Sequence, residues 1–290
     1  MSKRSGRASP LAPVANRIAV GAGVIRYVWT HPANRSQRGR ALLRAAGYQA
    51  RTGLLRRRAV ARLGEKSRLW VDRHRTAAAM AMYANPPDLP EMLAWRRALR
   101  GGGLFLDVGA NVGTYTIWAA ELGAEVIALE PAPDTFRLLQ ENIALNGYLV
   151  TALRAAAGDH CGTARFTAGL DAANSLDPDG AAVTELVTVD SVIGDRRVTG
   201  MKVDVEGFEI DVLRGAAAAL AQQRIGLIQV EWNQASRFAV GTDRRPVADL
   251  LASYGYRLYR PDLTGRLIPV ADPQLGADVF ARPATEGDRP

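Results

Sequence analysis

The chain has 290 residues, a net charge of +8 and 48% hydrophobic residues, which allows one large domain with an extension. Its single cysteine, Cys161, excludes an internal disulfide and favours a reducing compartment. The apolar stretch from Ile18 to Ile25 is far shorter than the roughly 18 residues that span a bilayer. Because no signal-peptide pattern is evident either, we expect a cytoplasmic protein with no transmembrane segment.

The positive charge is concentrated at the N-terminus. Residues 1–75 hold 18 lysine or arginine residues and two acids, a net charge of +16, and the rest of the chain carries −8. Such a stretch is either the solvated face of helices that pack on the main domain or a peripheral contact surface, over residues 17–75, for an acidic partner, a membrane or nucleic acid. Aromatic residues for base stacking are sparse there, so we expect no nucleic-acid partner.

The first hundred residues form an extension. Residues 1–16 lack any periodicity and are predicted to be a disordered tail. Residues 17–100 are predicted to be a basic helical and hairpin region. Within it, residues 17–56 carry apolar groups at helical intervals, and residues 58–72 alternate around a glycine turn as a hairpin does.

Residues 101–283 alternate between strand and helix patterns, which predicts an α/β domain with a mainly parallel sheet and helices on both faces. Residues 284–290 are predicted to be a polar tail. The first unit of the domain, from Leu104 to Pro131, is a strand, a glycine-rich turn, a helix and a second strand that ends in Glu130. Ligands in such sheets bind at the carboxyl ends of the strands.

The glycine spacing distinguishes two nucleoside cofactors. A dinucleotide site needs Gly-x-Gly-x-x-Gly, so that the backbone can approach a pyrophosphate. Here three residues separate Gly109 from Gly113, and Asn111 occupies the place of the second glycine. This form suits S-adenosylmethionine, whose methionine end carries an ammonium and a carboxylate but no phosphate. Asp107 would bind that ammonium, and the open amides of the loop would bind the carboxylate.

Two further acids complete the predicted cofactor site. Glu130 lies 23 residues after Asp107, where an acid accepts hydrogen bonds from both ribose hydroxyls. Asp159 follows the third strand and is placed to accept from the adenine amino group. The predicted cofactor-binding residues are Asp107, Gly109, Asn111, Gly113, Thr116, Glu130, Pro131 and Asp159.

The chain resembles the FkbM family of S-adenosylmethionine-dependent methyltransferases over about residues 100–282. The matching segments are 107–116 (DVGANVGTYT), 129–146 (LEPAPDTFRLLQENIALN), Gly158-Asp159, 187–191 (VTVDS) and 201–216 (MKVDVEGFEIDVLRGA). The resemblance implies a Rossmann-like methyltransferase fold with a seven-stranded sheet. It also implies methyl transfer to a hydroxyl oxygen of a sugar, glycan or polyketide-type metabolite.

The catalytic groups are predicted in the last of these segments and on the neighbouring strand. In an extended strand Lys202, Asp204 and Glu206 would face the same side, and Glu231 would face the acceptor from the next strand. We expect Asp204 to be the central group, held by its neighbours. Lys202 either stays charged or has a lowered pKa and acts as the base itself. His160 is expected to be a surface residue in a turn.

Other functions stay open at this point. The chain could be a catalytically silent cofactor-binding protein, or a nucleic-acid methyltransferase that uses its basic extension. Residues 85–88 are similar to the Asn-Pro-Pro-aromatic loop of methyltransferases acting on DNA bases, but Asp88 stands where the ring belongs, so we expect a plain turn. A converging set of metal ligands, as in catechol methyltransferases, is not spelled out by the spacing, and we predict no metal.

Overall fold

The computed structural model describes residues 12–53, 57–71, 76–166, 182–231, 244–270 and 278–284. Most of the predicted tail at residues 1–16, nearly all of the predicted loop at residues 168–182 and the end of the C-terminal tail lie outside the described residues. The first helix begins at Ala12, inside the stretch that the sequence predicts to be disordered. None of the described helices is both long and apolar enough to cross a membrane.

The described helices and strands follow the predicted alternation. The helices are α1 (Ala12–Thr30), α2 (Arg38–Gly53), α3 (Thr76–Tyr83), α4 (Leu89–Ala98), α5 (Thr114–Glu121), α6 (Pro133–Asn146), α7 (Val189–Ile193), α8 (Glu209–Arg214), α9 (Ala217–Ala221) and α10 (Arg245–Ser253). The strands are β1 (Ala59–Leu63), β2 (Ser67–Val71), β3 (Leu104–Val108), β4 (Glu125–Leu129), β5 (Val150–Leu153), β6 (Ala155–Ala157), β7 (Gly162–Phe166), β8 (Ala182–Val187), β9 (Gly200–Val203), β10 (Ile228–Val230), β11 (Tyr256–Pro261), β12 (Leu267–Pro269) and β13 (Val279–Pro283).

The main sheet is mostly parallel, as the sequence predicts. Its strand order is β12-β11-β13-β10-β9-β3-β4-β5. Strands β5, β4, β3, β9 and β10 pair in parallel, whereas β13 is antiparallel to both of its neighbours, β10 and β11. The described sheet has eight strands, one more than predicted, because the short strand β12 pairs with β11 at one edge.

Helices cover both faces of this sheet. Every residue of β3 is buried, which explains its nearly continuous apolar sequence. On one face Trp95 of α4 packs edge-on against Phe105 of β3, with ring centroids 4.9 Å apart. On the other face, Val212 and Leu213 of α8 belong to the same buried cluster as Met201 of β9.

The third predicted strand, residues 149–155, is divided. Residues 150–153 form β5 at the edge of the main sheet, whereas residues 155–157 form β6 in a separate three-stranded sheet with β8 and β7. The carboxyl end of β6, and with it Asp159, therefore belongs to a different sheet from that of Asp107 and Glu130.

The extension packs on the domain. The predicted hairpin is confirmed as β1 and β2, and the Asn142 and Asn146 side chains of α6 accept hydrogen bonds from the β2 backbone amides of Trp70 and Arg68, at 2.7 and 2.8 Å. Buried residues of α1 and α2 join the same apolar cluster as α3, so the two basic helices bury one face within the extension.

Candidate active site

The glycine loop between β3 and α5 lies against the segment that follows β9. Gly109 has φ +81°, and a Cβ there would lie 1.9 Å from the backbone oxygen of Asp204. Gly113 has φ +96°, and its Cβ would lie 2.7 Å from Leu139. Asn111, between them, is also left-handed at φ 51°. Glycine is required at both positions because the backbone has a positive φ and because a Cβ would collide with the segment after β9 or with α6.

Asp107 sits at the base of this loop and is almost completely buried. Its Oδ2 accepts a hydrogen bond of 2.6 Å from Thr116 Oγ1, whereas its Oδ1 has no hydrogen-bond partner among the described residues. Burial raises the pKa of Asp107, and the nearby Lys202 opposes that rise. A buried carboxylate oxygen without a partner fits the ammonium group of S-adenosylmethionine, since buried polar atoms are normally paired.

Glu130 holds the loop in place from the end of β4. Its Oε2 accepts a 2.9 Å hydrogen bond from the Asn111 amide, and its Oε1 accepts one of 2.9 Å from the Ala132 amide, on the far side of Pro131. A carboxylate offers about four lone-pair sites, so both oxygens can accept ribose hydroxyls in addition to these bonds. Glu130 and Asn111, 19 residues apart, thus act as one unit.

Asp159 is exposed and forms a 2.7 Å pair with Nδ1 of the adjacent His160. The hydrogen bond from His160 lowers the pKa of Asp159. His160 is itself exposed, in keeping with the surface turn expected from the sequence. The assignment of Asp159 to adenine stays a prediction.

Lys202 is buried in β9 and is the charged centre of the site. Its Nζ contacts Asp204 Oδ2 and lies 4.7 Å from the centroid of the Tyr115 ring. Burial lowers the pKa of Lys202, but the carboxylates of Asp204, Asp107 and Asp278 outweigh it, so the pKa is raised overall. Lys202 therefore stays protonated, which argues against its acting as the base.

Asp204 and Glu231 form a carboxyl pair. The two carboxyl groups are hydrogen-bonded to each other across the ends of β9 and β10. Burial and the charge of Asp204 raise the pKa of Glu231 to about 11. Burial opposes ionisation of Asp204 too, but Lys202 and the hydrogen bonds lower its pKa overall. At neutral pH the pair thus carries one negative charge, which Lys202 balances.

Glu206 departs from the expected arrangement. Strand β9 ends at Val203, and Glu206 lies in the following turn with φ 52°. The expectation that Lys202, Asp204 and Glu206 alternate along one strand is therefore wrong. Burial, followed by the charge of Asp204, raises the pKa of Glu206 to about 7. Its side chain is nevertheless close to the pair, because ligand atoms of Asp204, Glu206 and Glu231 lie within 4.8 Å of one another.

Glu209 and Arg244 hold the turn that carries Glu206. Glu209 is buried, and its Oε1 accepts a 2.9 Å bond from the Gly207 amide. Its Oε2 accepts a 3.0 Å bond from the Arg244 guanidinium, which is also buried. Both side chains thus have a structural function at the start of α8.

The three-carboxylate group has the geometry to hold a divalent cation. Two of its members are nevertheless already engaged within this chain, since Lys202 contacts Asp204, and burial and the charge of Asp204 raise the pKa of Glu231 to about 11. An ion could bind here only if Glu231 lost its proton and the contact between Asp204 and Lys202 were broken.

Sequence reasoning missed several residues beside the site. The Tyr115 hydroxyl donates to Asp88 Oδ2 at 3.1 Å, and Gln229 Nε2 lies 3.4 Å from the same hydroxyl and 2.8 Å from Asp278 Oδ2. Tyr115 lies inside the glycine-loop motif, and this position could have identified it as a residue of the site. Asp88 and Gln229 carry no such signal, because they approach only through the packing of distant segments.

A mostly parallel sheet, a glycine loop with an unpaired aspartate oxygen and an acid at the end of β4 are the arrangement expected of an S-adenosylmethionine-dependent methyltransferase domain. Residues 107–258, just over half of the chain, match the family model of the methyltransferase FkbM domain. The chain belongs to the FkbM methyltransferase family.

Two curated relatives are similar over this region. The hexuronic acid methyltransferase AglP from Haloferax volcanii is 30% identical over 152 residues, which cover 50% of this chain and 60% of that protein. The 31-O-demethyl-FK506 methyltransferase FkbM from Streptomyces tacrolimicus is 30% identical over 158 residues, or 48% of this chain and 58% of that protein. The match therefore spans less than two thirds of the length of either relative.

Among solved structures, the 16S rRNA methyltransferase RsmC from T. thermophilus has a TM-score of 0.44 and 17% identity. The similarity covers 79% of this chain and 50% of that one. A similarity of this size carries no argument about function.

Proposed function

We propose that this protein is an S-adenosylmethionine-dependent methyltransferase that methylates a hydroxyl oxygen of a sugar, glycan or polyketide-type metabolite. The observation that carries the proposal is the contact between the glycine loop and the carboxyl cluster. Gly109 packs against the backbone of Asp204, so the cofactor loop adjoins the acids that follow β9 and β10. The named activities of the two relatives, on a hexuronic acid and a demethylated FK506, support this acceptor class.

The cofactor site follows from the contacts above. Asp107 would hold the methionine ammonium through Oδ1, and Glu130 would accept the ribose hydroxyls while it keeps the Asn111 amide in place. When bound, S-adenosylmethionine supplies a methyl group on a sulfonium whose sulfur leaves with the bonding electrons. The protein has only to align the acceptor oxygen and remove its proton.

Glu206 is the best candidate for the base. General bases work best when their pKa lies near the working pH, and the pKa of Glu206 is about 7. Asp204 is less suitable than the sequence suggests, because its carboxylate is already engaged by Lys202 and Glu231. Glu206 takes the proton of the acceptor hydroxyl as the oxygen bonds to the methyl carbon. Lys202, Asp204 and Glu231 do not change their protonation during this step, because the pKa of Lys202 and Glu231 is raised and that of Asp204 is lowered.

The test is release of S-adenosylhomocysteine by the purified protein. The acceptors would be neutral methyl glycosides, methyl glycosides of hexuronic acids and a cyclic diol. We expect turnover with at least one of them, and Glu206→Gln should reduce kcat about 10²- to 10⁴-fold without weakening cofactor binding. The matched control is Glu185→Gln, an exposed glutamate on β8. Cofactor binding without turnover on any acceptor would instead favour a catalytically silent binding protein.

A further inference from the structure

Asp88 lies in the extension, outside the residues that match the family, yet it reaches the methyl-transfer site. Its carboxylate accepts a hydrogen bond of 3.1 Å from the Tyr115 hydroxyl, and the face of the same tyrosine ring lies 4.7 Å from Lys202 Nζ. Lys202 in turn contacts Asp204. One tyrosine side chain therefore separates Asp88 from the charged centre of the site.

The side chain of Asp88 does not serve the helix that it precedes. Asp88 occupies the N-cap position of α4, where aspartate normally accepts a hydrogen bond from an amide of the first turn. No such bond is present, because Asp88 Oδ2 is directed to Tyr115 instead. A favourable local interaction is thus given up for a contact with the site.

The backbone before Asp88 is fixed from two sides. Asn85 Oδ1 accepts a 2.7 Å bond from the Gly64 amide, and Asn85 Nδ2 donates to the Gly64 carbonyl at 2.9 Å. The Pro87 carbonyl accepts a hydrogen bond of 3.1 Å from the Tyr27 hydroxyl, and it lies 2.8 Å from His31 Nε2. The segment is more than a plain turn, since the hairpin and α1 both hold it. Such support is typical of side chains that must be placed accurately.

Asp88 is also accessible to a ligand. The residue is exposed, while its carboxyl group is crowded enough by protein that burial raises its pKa. The carboxylate therefore combines a fixed contact with Tyr115 and an exposed position from which a ligand can be reached. In addition to burial and Asp88, the acids Asp278 and Glu91 lie near enough to the Tyr115 hydroxyl to raise its pKa. Because this part of the site is acidic, it favours a neutral hydroxyl donor over an anionic group.

We propose that Asp88 is a specificity-determining residue, whose carboxylate accepts a hydrogen bond from a hydroxyl group on a neutral part of the methyl acceptor, with Tyr115 holding it in position. The proposal rests on the proposed function, since it concerns the acceptor of the same site. It means that the N-terminal extension is a wall of the active site.

The test compares Asp88→Asn, Asp88→Ala and the matched control Asp195→Asn, an exposed aspartate beyond α7. Substrates are neutral methyl glycosides and the corresponding methyl hexuronosides, with release of S-adenosylhomocysteine as the readout. With a neutral acceptor we expect Asp88→Ala to lower kcat/KM about 10- to 100-fold, mostly through KM, at unchanged affinity for S-adenosylmethionine. Asp88→Asn should reduce the preference for neutral over uronate acceptors, which a merely structural role would not do.

Four outcomes contradict the reasoning in different ways. If the wild type turns over a glycoside and Asp88→Ala matches the Asp195→Asn control, the inference about Asp88 is wrong. The inference is equally wrong if kcat/KM of Asp88→Ala falls only in parallel with its affinity for S-adenosylmethionine or with its unfolding. It is also wrong if Asp88→Asn has the same ratio of kcat/KM for neutral and uronate acceptors as the wild type. If the wild type itself releases no S-adenosylhomocysteine with any acceptor, the proposed function fails first.

Discussion

Replacing Lys202 by methionine tests whether this ammonium balances the buried carboxylates. Lys202 is 4% exposed and contacts Asp204, whose side chain is 35% exposed. Breaking a buried ion pair by removing one partner costs about 3–5 kcal/mol, and the partial exposure of Asp204 places this case near the lower end, at about 3 kcal/mol. That cost is a large part of the stability of an ordinary domain.

The loss should depend on pH in a defined direction. Without Lys202, Asp204 and Glu231 face each other alone, so the folded variant binds protons more tightly than its unfolded chain does. Groups whose pKa is raised by folding stabilise the protein at low pH, and that contribution is lost as the pH rises. The deficit of Lys202→Met should therefore be largest near pH 8 and shrink towards about pH 5.5.

Urea unfolding followed by circular dichroism at both pH values measures this effect. Lys66→Met, in the exposed turn of the β1–β2 hairpin, is the matched control and should change the free energy of unfolding by less than about 0.5 kcal/mol. Adding Asp204→Asn to Lys202→Met should recover part of the loss. If Lys202→Met is as stable as the control at both pH values, Lys202 is not the counter-charge of this site.

Three further predictions concern the loop, the cofactor and the base. Gly109→Ala should destabilise the protein by about 1–3 kcal/mol more than Gly123→Ala, measured by urea unfolding, because both positions have positive φ but only the first meets backbone atoms. Equal losses would contradict the close approach of the loop to the segment after β9. Asp107→Asn should weaken S-adenosylmethionine binding about 10- to 100-fold by calorimetry, while Asp195→Asn leaves it unchanged, and unaltered affinity would remove Asp107 from the cofactor site. Folding raises the pKa of Glu206 to about 7, so its stabilising contribution is present at acidic pH and is lost as the pH rises through 7. Glu206→Gln lacks this contribution. Between pH 5 and 8 its free energy of unfolding should therefore fall less than that of the wild type. Parallel pH profiles for the two proteins would contradict that shift.

The amino-acid sequence determines the parts of this protein that depend on neighbouring residues. The spacing of Gly109 and Gly113, with Asn111 between them, predicts the cofactor loop, because each of these positions needs a left-handed backbone. The hairpin and the alternation of strands and helices are predicted for the same reason, since periodicity is a local property of the chain. The cofactor-binding class follows from these segments alone.

The tertiary structure decides what happens where distant segments meet. Strand β9 ends at Val203 because the following turn is held by Glu209 and Arg244, and this places Glu206 outside the predicted strand pattern. The raised pKa of Glu231 depends on burial and on its nearness to Asp204, which the side-by-side pairing of β9 and β10 creates. The approach of Asp88 to the site depends on contacts between distant segments, which local sequence patterns do not show. Charge, burial and hydrogen bonding set the chemistry of these groups, and all three arise only when the chain has packed.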